Sequence, residues 1–306
     1  MPPEVSGIAA SRVREGIFYA HADHGNAAEL HAFERTGTYD GVHPVSGVTN
    51  GDWEDIAAGP CPDGSPCLVL GDIGDNDFVR QTIAVVLLPE PGGAGEEIRP
   101  IGVLEAAYPD GPHDAETLLV HPCDGAIYVI TKEIPAGVYR FPPEAGKGVV
   151  TLEKVASLDV ARWIDDQGVV MGAGLTGGDW DEHGERLVVR SNLAVWEWTT
   201  DPADPDGHWD VVPRLHQNID EPLGEGVAFA ADAAVVTVSE GTPMVGHVLV
   251  CDQVVEPEQI CTFEPIYDTP GCGCGHAPTG GAAWLVALLT GLRRRRADSL
   301  GVEHSA

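Results

Sequence analysis

DWEDIAAGPCPDGSPCLVLGDIGDN (residues 52–76) contains two short apolar runs and is acidic at both ends. Each run has the length of a β-strand, and the PDGSP between them is turn chemistry, so the stretch predicts a β-hairpin. Folding it returns Trp53-Glu54-Asp55 and Asp72-Ile73-Gly74-Asp75 to the same rim, where four carboxylates repel one another. A chain that gathers acids at one edge of a hairpin needs a reason to do so.

The same layout recurs. SGIAASRVREGIFYAHADHG (6–25), DAETLLVHPCDGAIYVITKE (114–133), TGGDWDEHGERLVVRSN (176–192) and GEGVAFAADAAVVTVSEG (224–241) each read as strand, polar turn and strand. Further strands follow most of them, among them AELHAFER, TIAVVLLPE, GVYRFPPE and AVWEWTT. The repeats start about 50 to 60 residues apart, the period of a four-stranded propeller blade with its loops. Helical periodicity is nearly absent, LDVARWIDDQG (158–168) being the best candidate for one short helix. The expected fold is therefore all-β: one β-propeller over residues 1–268, of five blades, with room for a sixth in 91–113 or 142–175. Because the first blade begins almost at Met1, the strand that closes the ring is expected either to be missing or to come from 244–266.

A propeller explains the acids. The first strand of each blade lines the central channel and the second runs antiparallel beside it. The start of the first and the end of the second thus share one face of the disc. Strand-one starts carry Glu54, Glu116 and Glu225, with Asp55 and Asp114 adjacent. Strand-two ends carry Asp23, Asp72, Lys132, Arg190 and Glu240. In the fourth repeat, matching the turns places Thr176, not Asp179, opposite the glutamates. Packed carboxylates raise one another's pKa unless a cation neutralises them, and calcium accepts six to eight oxygens without strict geometry. The candidate ligands are Glu54, Asp55, Asp72, Asp75, Asp114, Glu116, Glu225 and Glu240. No EF-hand loop is present: GDIGDND lacks the alternating acids and DPADPDG (201–207) has them only in part.

Lys132 and Arg190 stand out because basic residues are scarce. On the acidic rim they are expected to hold an anionic group, or else to pair with neighbouring acids across blades. His21, His24 and His113 fall on the same face and are candidate proton shuttles. Lys132, Arg190, His21 and His113 are thus the candidate catalytic residues. No G-x-S-x-G elbow, Walker loop or dinucleotide fingerprint occurs, which leaves a metal-activated water as the attacker in any hydrolase. A non-catalytic module that binds a surface partner or polysaccharide is the other reading. Trp53, Trp180, Trp196 and Trp198 are expected to pack between blades.

The 306 residues carry a formal charge of -31, with 48 acids against 17 lysines and arginines. Nucleic acid, whose affinity comes from neutralised phosphates, is excluded as an expected partner. Cations or basic partners suit this field, and an acidic surface also serves solubility in a salty habitat. A small anionic substrate or surface glycan is the expected ligand, and a monomer the expected state. Cys61 and Cys67 flank the first turn, and Cys251 and Cys261 bracket another short loop, so both pairs suit disulfides in an oxidising compartment. Cys123 has no obvious partner.

After GCGCGHAPTGG come AAWLVALLTGL and RRRR (293–296). The apolar run, about 13 residues with its leading glycines, is short against the roughly 20 that span a bilayer. This order resembles the myxobacterial C-terminal sorting signal of the MYXO-CTERM type over 271–296. The resemblance implies export and retention at the cell surface; the glycines and prolines of 269–281 predict a flexible tether, and 282–306 reads as an apolar helix with an arginine-rich end. Met1-Pro2-Pro3-Glu4 begins no signal peptide, so a leader upstream of Met1 is expected.

The runs SGIAAS, DWEDIA, GDIGDN, DAETLLV…ITKE, TGGD…VVRS and GEGVAF…VSEG resemble a bacterial phytase-like or SdiA-regulated-like propeller family over residues 5–241. That resemblance implies a secreted or periplasmic propeller that often binds calcium. Lactonase-type propellers, in which acids from several blades hold one calcium at the channel mouth, are a second likeness.

Overall fold

The computed structural model describes residues 4–143, 145–160, 174–217, 221, 223–241 and 245–249. All belong to the first of two compact units, Met1–Gly275; the second, His276–Ala306, lies outside the described residues. So do Cys251, Cys261 and the 271–296 tail, and residues 161–168 of the expected helix at 158–168, whose first residue, Leu158, ends a strand.

Among the described residues, twenty strands form five sheets. The first is β1 (Val5–Ala10), β2 (Ile17–Ala22), β3 (Glu29–Glu34) and β4 (Tyr39–Pro44). The second is β5 (Trp53–Pro60), β6 (Pro66–Asp72), β7 (Ile83–Pro89) and β8 (Gly102–Ala107). The third is β9 (Ala115–Val120), β10 (Ile127–Thr131), β11 (Ala136–Arg140) and β13 (Glu153–Leu158). The fourth runs β14 (Leu175–Trp180), β15 (Arg186–Ser191), β16 (Ala194–Thr199) and β17 (Arg214–Gln217). The fifth contains β18 (Gly224–Phe229), β19 (Val235–Ser239) and β20 (Val245–Leu249). Between β11 and β13 the chain adds the two-residue β12 (Val150–Thr151) in parallel to β8, so the third blade reaches across to the edge of the second.

The inner strands close a ring: β1 packs beside β5, β5 beside β9, β9 beside β14, β14 beside β18, and β18 beside β1. This is a five-bladed propeller. In the described parts of the stretches left for a sixth blade, β8, β12 and β13 are outer strands of blades two and three. Of the segment expected to close the ring, the described residues 245–249 form β20 of the fifth blade, and β1–β4 make a four-stranded blade. Contact between β18 and β1 closes the circle. It is tight enough that a Cβ on Gly226 would lie 2.9 Å from Ile8 N. An Arg35–Asp232 ion pair of 2.6 Å spans the same seam.

Strand-one and strand-two segments are buried on both faces because every blade is sandwiched between neighbours, which is why they read as continuous apolar runs. The core is accordingly divided into five apolar layers, one at each seam. Trp53 fills the layer between blades one and two, and Trp180, Trp196 and Trp198 fill that between three and four. The first hairpin turns of blades one to four use Gly16, Gly64, Gly125 and Gly184 at φ of 76°, 80°, 68° and 73°. Blade five uses Ala233 at 62°, where its Cβ opposes the conformation that glycine adopts freely. A Cys61–Cys67 disulfide closes the turn of the opening stretch, and Cys123 is disulfide-bonded as well.

Candidate metal centre at the channel mouth

The register shifts by one residue near the start of every inner strand. The residues at these bulges are Ser6, Glu54, Glu116, Thr176 and Glu225, one per blade, and they form a five-membered ring at one mouth of the channel. A bulge re-aims a side chain out of the strand's alternation, which is how the glutamates reach the mouth. Thr176 occupies the glutamate position in blade four. The two hydroxyls of the ring are spent on the neighbouring blade: Ser6 Oγ donates to Glu54 O at 2.5 Å, and Thr176 Oγ1 to Gly224 O at 3.0 Å.

Around Glu54 the sequence builds a cluster from two blades. Asn50 donates through Nδ2 to Ala22 O and Asp23 O (3.0 and 2.8 Å), and its Oδ1 accepts Trp53 N–H. The end of β2 is thereby fastened to the start of β5. Asp52 O accepts the N–H groups of Ile73 and Gly74 at 3.1 and 3.3 Å, which folds the end of β6 back over the same point. As a result, carboxylate oxygens of Asp23, Asp52 and Glu54 lie within 4.8 Å of one another. Gly74 covers them without a side chain: a Cβ there would stand 2.2 Å from Glu54 Oε1 and 2.6 Å from Asp52 Oδ2. The cluster borders a cleft of about 610 Å³ whose walls include Asp23, His24, Asp52, Asp75 and Arg80.

Electrostatics follow from this crowding. Burial, then Glu116, Asp23 and Asp52, pushes Glu54 up to about 11. Burial likewise raises Glu116, but its ion pair with Lys132 opposes the rise and leaves it at about 7. Glu225, half-buried and facing Glu116 and Glu240, is pushed up to about 8 by desolvation and then by those acids, and its Oε1 accepts from Asn192 Nδ2 at 3.1 Å. Burial disfavours the Lys132 ammonium, yet Glu116 outweighs that and holds its pKa above the usual lysine value. Glu116 Oε2 is buried with no hydrogen-bond partner.

The other sequence candidates are distributed as follows. Glu240 is half-buried at the mouth and raised by burial and by Asp23. Asp72 pairs with Arg80 at 2.8 Å and accepts Asp52 N–H at 3.2 Å, so it stands behind the cluster. Asp75 spends both oxygens on Val79 N–H and Arg80 N–H, and its own N–H goes to Asp114 Oδ1 at 2.9 Å. These three acids shape the loop that borders the cleft. Asp55 departs from the expectation for a rim ligand: it points into the channel and accepts Leu118 N–H at 2.9 Å and Gly178 N–H at 3.3 Å. It therefore ties β5 to β9 and β14.

Two candidate catalytic groups are also displaced. Arg190 is fully buried, pairs with Glu221 at 2.8 Å and donates to Gly226 O and Val238 O, locking blade four to blade five. It follows the cross-blade alternative, because its side chain turns into the seam beneath the rim. His21 is sealed edge-on against Trp53 with Nδ1 at 3.0 Å from Ala22 O, and burial lowers it to about 4, so it is a neutral core residue. His113 lies between Glu133 (2.8 Å) and Asp110 (3.0 Å) and reaches Tyr139 OH at 3.1 Å. It clasps the loop before β9 and is not brought to the Asp23–Asp52–Glu54 cluster. Asp23 and Asp52 both fall outside the ligands expected from the sequence; the signal for Asp52 is Gly74, a glycine returning opposite it in the quoted stretch.

No family model matches the chain, and no curated protein matches it. Among solved structures, glucose dehydrogenase is 11% identical with a TM-score of 0.45, covering 81% of this chain and 97% of its own. The PQQ-bound aldose sugar dehydrogenase of Streptomyces coelicolor is 12% identical with a TM-score of 0.44, over 78% and 89% of the two chains. The calcium-binding protein regucalcin of Agrobacterium tumefaciens is 12% identical with a TM-score of 0.40, over 77% and 81%. At these values the likenesses assign no reaction to this chain.

Proposed function

We propose that this chain is a calcium-binding β-propeller that hydrolyses an ester, either a phosphoester or a lactone, at the channel mouth. The observation that carries the reading is the convergence of Asp23, Asp52 and Glu54 beneath a glycine. An all-carboxylate donor set suits a hard cation, and Glu116 Oε2 beside it is buried without a hydrogen-bond partner. When bound, calcium supplies Lewis-acid polarisation of a substrate oxygen. The protein's own groups supply the rest. Glu116, at about 7, is poised to take a proton from an attacking water near neutral pH. Lys132, paired to it, steadies negative charge as it develops, and Arg80 and His24 on the cleft wall meet an anionic substrate. Water is the attacker in this scheme because both hydroxyls of the ring are committed to backbone carbonyls.

That commitment also favours the second reading, a non-catalytic module for a surface partner or glycan. Purified protein with calcium, screened on phosphomonoesters and lactones, separates the two. Hydrolysis of one class is expected, and Glu116→Gln should lower kcat by about 10² to 10⁴ while calcium binding persists. Calcium binding without turnover of either class overturns the enzyme and leaves the module. Export and surface retention through the 271–296 tail belong to the same proposal, supported by the Cys61–Cys67 disulfide, which an oxidising compartment favours.

A further inference from the structure

We propose that the opposite mouth of the channel is a second binding site, for a small zwitterion of the α-amino-acid type. The inner strands end there around a cavity of about 440 Å³ lined from all five blades, by Arg12, Gly59, Pro122, Glu182 and Phe229 among others. It is separate from the carboxylate mouth. Asp55 bridges the channel between the two, reaching from β5 to the N–H groups of Leu118 on β9 and Gly178 on β14.

Arg12 decides the chemistry. Its side chain is 16% exposed, and its nearest carboxylate oxygen, Glu182 Oε2, is 3.8 Å away, too far for a hydrogen bond. Among the described residues its guanidinium donates to nothing. Arg14, Arg80, Arg186 and Arg190, by contrast, all donate to carboxylates or carbonyls. A largely buried guanidinium that donates to no described residue, and that faces the charges of the buried Asp179 beneath it and Glu182 beside it, is suited to accept a ligand's carboxylate. Its backbone is fixed independently: the Glu90 carboxylate of blade two accepts Ser11 Oγ–H, Arg12 N–H at 3.0 Å and Val13 N–H at 3.2 Å. The backbone that carries the fork is thus fixed before any ligand arrives, which lowers part of the ordering cost of binding.

The planar fork matches a carboxylate through two parallel bonds. The same walls carry Glu15 and Glu182, so a dianion such as phosphate is opposed. A ligand bearing one carboxylate and one ammonium satisfies both signs. Ala10, Val13, Pro122 and Phe229 offer apolar wall to its side chain.

Isothermal titration of the full chain with phenylalanine, hydrocinnamate (the carboxylate alone) and phenethylamine (the amine alone) tests this. Saturable binding of phenylalanine is expected, at least tenfold tighter than either analogue. Arg12→Gln should lose at least tenfold while binding calcium as the wild type does. Glu182→Gln, a change at a half-exposed residue, should weaken phenylalanine while hydrocinnamate binds no more weakly than to the wild type. No saturable binding of phenylalanine at millimolar concentration, or unaltered binding by Arg12→Gln of wild-type melting temperature, overturns the site. Hydrocinnamate binding as tightly as phenylalanine overturns the zwitterion class.

Discussion

At Glu54 the fold holds a carboxyl group where ionisation is disfavoured by burial and by four further acids, Glu116, Asp23, Asp52 and Asp114. A divalent cation reverses that balance, because the group that repels anions becomes a ligand. The site tolerates this only if its oxygens can approach one another, and Gly74 is what lets them. A methyl group on residue 74 would be fixed to the backbone 2.2 Å from Glu54 Oε1, so the carboxylate would have to turn away. Gly74→Ala is therefore expected to lower calcium affinity about tenfold or more, the scale of disturbing a ligand's immediate support. Calorimetric titration with calcium measures this. An unchanged affinity would remove Glu54 from the ligand set.

At the level of the element, the inner strands do two things that ordinary strands do not. Each breaks register at one residue, and β5 sends Asp55 across the axis to two other blades. The Leu118 and Gly178 N–H groups have Asp55 Oδ2 as their acceptor. Removing it leaves two buried donors unsatisfied, each costing about 1 to 3 kcal/mol. Asp55→Ala should thus destabilise the propeller by about 3 kcal/mol or more, read from denaturant unfolding. Asp55→Asn, which keeps one acceptor oxygen, should cost less. Equal stability of all three proteins would show that the bridge is dispensable.

For the whole molecule, the raised carboxyls make stability depend on pH in a direction opposite to that of most acidic groups. Glu116 at about 7, Glu225 at about 8 and Glu54 at about 11 all keep their protons longer in the folded chain than in the unfolded one. Their contribution is full below the ordinary glutamate range and is lost as pH rises through those folded values. Each group costs up to about 1.4 kcal/mol per pH unit while only its unfolded form is ionised. Without calcium, the melting temperature should fall steadily from pH 5 to pH 9. With calcium the fall should be suppressed, most at high pH, because the cation takes the place of the protons. Melting curves in chelator and in calcium provide the comparison. A melting temperature that rises with pH in chelator would contradict the arrangement of the mouth.

What the sequence by itself determined was set by local rules. The hairpin period, the glycines at the turns, the apolar runs and the six-residue spacing of Cys61 and Cys67 each act within a few residues, and they led to a propeller with its disulfide. The same locality made Thr176 recognisable as the odd member of the glutamate ring, since counting from the turn needs no tertiary contact. Tertiary structure decided which way each charged side chain points. Consecutive residues in a strand face opposite sides, and a one-residue bulge changes that assignment for everything beyond it. Glu54 thus reaches the mouth while its neighbour Asp55 reaches the axis. Arg190 ends one blade-seam away from the rim because Glu221, 31 residues later, waits there for it. Asp52 and Asp23 became partners through Asn50, which joins two blades, and a contact between blades leaves no period in the sequence. The count of blades was decided in the same way: β12 crosses to the edge of a neighbouring sheet, and only ring closure between β18 and β1 fixes the number at five.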